Sequence, residues 1–70
     1  MSVVRSSIIT SEATGMKYRL EEWFVQGYGI KRYGCDVLPL GSNEPIKTFA
    51  SSRSCDIAKR SAEKWVEANR

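Results

Sequence analysis

The side chains with the clearest chemical potential are the adjacent carboxylates Glu21 and Glu22 and the thiols of Cys35 and Cys55. Two carboxylates can share general acid and base work when both reach one substrate. Neighbouring residues on a strand point to opposite faces, so Glu21 and Glu22 make a poor pair. Glu22 falls on an otherwise apolar face, and an ion pair with Arg32 across a hairpin is its expected role. A cysteine becomes nucleophilic when nearby cations stabilise its thiolate. Lys17, Arg19 and Lys31 are the cations expected to share the face of Cys35, but an inert, packed thiol is the simpler reading. Cys35 and Cys55 lie twenty residues apart and form no Cys-x-x-Cys motif. In a reducing compartment they stay thiols; in a secreted protein they could bridge.

The 70 residues include no histidine. This removes the commonest general base, the Ser-His and Cys-His dyads and imidazole zinc sites. Gly27, Gly29 and Gly34 lack the Gly-x-Gly-x-x-Gly spacing of a dinucleotide loop and the Gly-Lys-Ser ending of a phosphate loop. They read as turn and bulge residues. The expectation is a non-catalytic protein with no metal and no cofactor.

A single small domain over residues 1–70 must position these groups. Residues 52–68 have helical spacing: Cys55, Ala58, Ala62, Trp65 and Val66 share one side, widened by Ile57, Ser61 and Ala68. Lys59, Arg60, Glu63, Lys64 and Glu67 take the other side, where Glu63 and Glu67 lie about a turn from lysine partners. Ser51, Ser52 or Ser54 can cap the first turn. Asp56 near the start and Arg70 at the end suit the helix dipole.

PIKTFAS and YGCDVLPL read as strands, with GSNEP as the loop between them. Pro39 ends its strand or puts it at an edge. MKYRLEEWFVQ reads as a strand through its Trp-Phe-Val run, although Met16, Leu20, Trp23 and Phe24 also fit a helical stripe. Residues 1–14 are either a further strand or a loose arm. The expected fold class is α+β: an antiparallel sheet of three or four strands over residues 16–50, with one C-terminal helix packed on one face.

A reversal at Gly27-Tyr28-Gly29 would set Trp23 opposite Tyr33, Phe24 opposite Arg32 and Leu20 opposite Asp36. Tyr18, Leu20, Phe24, Ile30, Leu38 and Leu40 would then face the helix, interrupted by Glu22, Arg32 and Asp36. Lys17, Arg19, Trp23, Val25, Lys31, Tyr33, Cys35 and Val37 would face away. That face would carry two aromatics flanked by cations. One extra residue in either strand would swap the faces.

The order strand, strand, strand, helix over residues 17–68 resembles plant-type AP2 domains and the amino-terminal arm-binding domains of tyrosine recombinases. That resemblance implies a sheet entering a DNA groove. It is one of element order, and it transfers no residue. The net charge of +3 permits a nucleic-acid partner without demanding one, because cations and carboxylates are interspersed.

The primary functional expectation is a small binding module, an adaptor, inhibitor or regulatory subunit with another protein as partner. The alternative is a nucleic-acid-binding module using the same face. Candidate contact residues are Lys17, Arg19, Trp23, Tyr28, Lys31, Arg32 and Tyr33. A homodimer through the open face or a free sheet edge is a third partner reading. MSVVRSSIITSEA has no continuous apolar stretch, so neither a signal peptide nor a membrane span is expected, and a cytoplasmic location is the default.

Overall fold

In the computed structural model, which describes residues 2–68, four strands precede one helix. They are β1 (Ser2–Thr10), β2 (Lys17–Gly27), β3 (Ile30–Pro39), β4 (Lys47–Ser51) and α1 (Cys55–Ala68). The strands form one antiparallel sheet in the order β1-β2-β3-β4, so each pairs with its neighbour in sequence. The helix packs against β2, β3 and β4 on one face. The fold is α+β as expected, with four strands, and residues 2–10 form a strand rather than an arm.

The contested segment is a strand because its burial has a period of two. Tyr18, Leu20 and Glu22 are buried, while Lys17 and Val25 are exposed and Arg19, Glu21 and Trp23 are half-buried. On a helix, Tyr18 and Glu22 would lie far from the stripe of Met16 and Trp23. Among the described residues, no helix is long and apolar enough to cross a membrane.

The β2–β3 turn corrects the expected register by one residue. Tyr28 and Gly29 alone form the loop, with φ of 51° and 77°. Positive φ at both central positions is the backbone of a type I′ turn, whose twist matches that of paired strands. Gly27 therefore pairs with Ile30, Phe24 with Tyr33, Trp23 with Gly34, Glu22 with Cys35 and Leu20 with Val37. Tyr33, Cys35 and Val37 move to the helix side. Arg32, Gly34, Asp36 and Leu38 move to the open side with Trp23. Trp23 and Tyr33 are thus on opposite faces, and Ile30 and Leu40 are exposed rather than under the helix.

The core consists of Tyr18, Leu20, Cys35, Val37, Ala58, Ala62 and Val66, with Ile9, Phe49 and Trp65 packed around it. Burying a side chain such as Leu20 or Val66 stabilises the fold by about 1.5–3 kcal/mol. The small residues Ala58 and Ala62 bring the helix backbone close to the sheet. Ile57 and Ala68 do not widen this stripe; both are exposed. Ser54 caps α1, its Oγ accepting from the Ile57 amide at 3.4 Å. The ion pairs among the described residues are Arg5–Glu22, Arg5–Asp56 and Arg19–Glu21, so the expected Lys–Glu pairs along the helix are not closed. Arg70 lies outside the described residues.

Candidate interaction face

Among the described residues no helix or strand covers the sheet face opposite α1, although its Leu38 end is buried, where Arg19 reaches the β3–β4 loop. Cross-strand pairing places Val3, Trp23, Gly34 and Ala50 in one row across all four strands. Ser6, Glu21, Asp36 and Thr48 form the next row on one side. Val25 and Arg32 form the row on the other side. Ile8, Arg19 and Leu38 lie beyond the acidic row, followed by Thr10 and Lys17.

Trp23 is fixed at the centre of this face. Its six-membered ring occupies the space that a Cβ at Gly34 would need. An aromatic laid across a glycine restores the packing that the missing side chain gives up. The indole Nε1 donates to Asp36 Oδ1 at 3.0 Å, and the Thr48 hydroxyl donates to the same oxygen at 2.9 Å. The glycine thus leaves room for the ring, and Asp36 sets its direction. Val3 and Ile8 stay well exposed, and Val25 is 38% exposed.

Arg19 is the most restrained cation on this face. It pairs with Glu21 at 2.9 Å and donates to the Ser42 carbonyl at 3.3 Å. Lys17 and Arg32 are exposed. The face therefore carries Lys17, Arg19 and Arg32 against Glu21 and Asp36, a near balance. A cavity of about 220 Å³ opens beside Arg32, lined also by Ala50, Ser51 and Ser52.

The seven residues singled out from sequence divide into three places. Lys17, Arg19, Trp23 and Arg32 share the open face. Lys31 and Tyr33 alternate with Arg32 and belong to the helix side, where the Tyr33 ring meets Phe24 at 5.0 Å between centroids. Tyr28 occupies the hairpin tip and is fully exposed. Sequence reasoning missed Val3, Gly34, Asp36 and Thr48. The signal for Gly34 and Asp36 was present: a two-residue Tyr-Gly loop puts both on the face of Trp23.

The carboxylate and thiol chemistry lies on the other face. Glu22 is fully buried and accepts from Arg5 Nε at 2.7 Å and Arg5 Nη2 at 2.9 Å. These bonds hold its carboxyl below the usual glutamate range, overcoming the opposing effect of burial. Arg5 also reaches Asp56 in the first turn of α1 at 3.4 Å. The partner of Glu22 is therefore Arg5 of β1, not Arg32. Arg32 points away because the register places it opposite Val25.

Cys35 is buried directly across from Glu22. Burial first, then the charges of Glu22 and Asp36, push its thiol up to about 12, which opposes thiolate chemistry. Lys17 and Arg19 do not share its face. Cys55 is half-buried, its Sγ 3.4 Å from the Trp23 carbonyl, and both cysteines are free. Among the described residues, no three or more Asp, Glu, Cys or His side chains converge on a common point that could hold a metal ion.

No protein-family model matches the chain, and neither does any curated protein or solved structure.

Proposed function

We propose that this chain is a non-catalytic protein-binding module that engages its partner through the open sheet face centred on Trp23. One observation carries this reading. Trp23 is held rigid by Gly34 and Asp36 on a face without a covering layer, among exposed Val3, Val25 and Ala50. Tryptophan is enriched at binding hot spots, and a ring already fixed loses little rotamer entropy on association. The near balance of charge favours a protein partner over a polyanion, whose binding rests on many unpaired cations.

The test is site-specific photo-crosslinking in the cells that express the protein, with the probe at Val25 and, as a control, at Lys64 on the helix. A product formed from Val25, absent from Lys64 and lost in Trp23→Ala, is the expected result. Far-UV circular dichroism must show that the variant remains folded. Equal products from both positions would overturn the reading.

A second reading rests on the hairpin tip. Residues 23–35 contain Lys31, Arg32, Tyr28 and Tyr33 and no carboxylate. Such a prong suits a nucleic-acid backbone with base stacking on Tyr28. An oligonucleotide titration separates the two readings. Affinity that falls steeply with salt, with shifts at the tip, supports nucleic acid; no shifts at low salt eliminates it.

A further inference from the structure

We infer that the partner of the open face is a second copy of this chain, seated about a two-fold axis that runs along the row of Val3, Trp23, Gly34 and Ala50. The inference rests on the reading of that face as a protein-binding surface and names its occupant.

The charges are arranged for self-pairing. The central row is apolar. On β3, Asp36 lies two residues to one side of Gly34 and Arg32 two residues to the other. A two-fold axis along the central row exchanges the flanking rows. Arg32 of each copy then faces Asp36 of the other, twice over, and the apolar row meets itself. This is an isologous contact, in which one patch serves both sides.

Asp36 has capacity for the pair. Trp23 and Thr48 both donate to its Oδ1, leaving Oδ2 for an outside donor. Arg32 is exposed and joins no ion pair among the described residues. Two sheets pack face to face about 10 Å apart with strand directions about 30° off alignment, which this arrangement allows. Like charges do not meet, because Lys17 falls beyond the overlap and Arg19 lies at its end, opposite Gly27 of the other copy.

The area fits a weak, reversible dimer. Positions 19 to 27 of β2 span about 27 Å, but beyond the central row only β2 and β3 continue on the Arg32 side, so most of the overlap is two strands, about 10 Å, wide. That is about 300 Å² a copy and about 600 Å² in total, the scale of a weak, transient contact. A chain of this size buries only about 60% of its extended surface, so a second layer would also thicken a thin core.

Sedimentation velocity on the full chain, from about 5 μM to about 1 mM, tests the inference over the range of a weak complex. The expected result is a rise towards the mass of two chains, with a dissociation constant raised at least about tenfold by Arg32→Glu and nearly unchanged by Arg32→Lys. Arg32 is exposed, so the charge reversal should leave the fold intact, as circular dichroism would verify. A dimer indifferent to Arg32→Glu would overturn the inference by placing the contact elsewhere, for example on the β1 edge. A monomer at every concentration would also overturn it. Crosslinking from Val25 to a different protein would then keep the open-face reading, and no crosslink at all would end both.

Discussion

Gly34→Ala is the most direct probe of the site. A methyl group at this position would run into the Trp23 ring, which is bound between two strands and cannot simply slide. The ring must leave the sheet surface, and its 3.0 Å bond to Asp36 goes with it. Overpacking of this kind costs about 1–3 kcal/mol, and the lost hydrogen bond about 1 kcal/mol more. Even 2 kcal/mol would lower the melting temperature of a domain this size by about 8–16 °C. The assay is thermal unfolding by circular dichroism, with indole fluorescence read in a Trp65→Phe background so that Trp23 alone reports. Its emission should shift to the red as the ring enters water. Gly27→Ala is the matched control, because nothing lies within 4 Å of its added methyl. If both variants melt together and the emission of Trp23 stays put, the glycine does not hold the ring and the site is misread.

Acid should weaken the fold through Glu22, whose depressed folded-state pKa makes the unfolded chain bind the extra proton. That contribution is present above about pH 4.5, lost as pH falls through the lower folded value, and flattened in Glu22→Gln; urea titrations at several pH values measure it. Arg5→Met should destabilise more than the double variant Arg5→Met/Glu22→Leu, since the single change strands a buried carboxylate, and chemical denaturation reads the order. Cys35 should resist iodoacetamide at pH 8 while Cys55 reacts, as mass spectrometry of labelled peptides would show. The raised Cys35 pKa, about 12, also means that stability declines as pH rises from about 9 towards that value. Tyr28→Asn should stabilise the hairpin by about 0.5–1 kcal/mol in denaturant, because asparagine accepts the positive φ that costs tyrosine.

Much of the fold was legible in the sequence, and the losses came from two local facts. The helix was set by Ala58, Ala62 and Val66 at four-residue spacing, and β2 by the alternation of Tyr18, Leu20 and the residues between them. The faces of β2 followed from that alternation. Those of β3 did not, because a Gly27-Tyr28-Gly29 loop and a Tyr28-Gly29 loop place its residues on opposite faces. A tyrosine at positive φ is rare enough that a glycine on each side looked like the natural loop. One residue of register then exchanged Tyr33 for Gly34 opposite Trp23 and turned Asp36 outward. The partner of Glu22 was hidden for a different reason. Arg5 lies on a strand with weak patterning, and an irregularity between Val3 and Arg5 shifts its pairing with β2. Periodicity cannot carry across such a step.

The Arg5 contact also ties together elements from opposite ends of the described fold. The sheet needs only neighbour-to-neighbour pairings, so its hairpins can close over short loops at little entropic cost. The Arg5–Asp56 bond spans 51 residues and joins the first strand to the start of the last element. When α1 docks, it seals Glu22 from water, and a carboxylate sealed without its guanidinium is a severe penalty. Docking of α1 before β1 has paired would therefore bury Glu22 without its partner. Folding of Arg5→Met should therefore slow more than its loss of a half-exposed side chain would suggest, as stopped-flow refolding would measure.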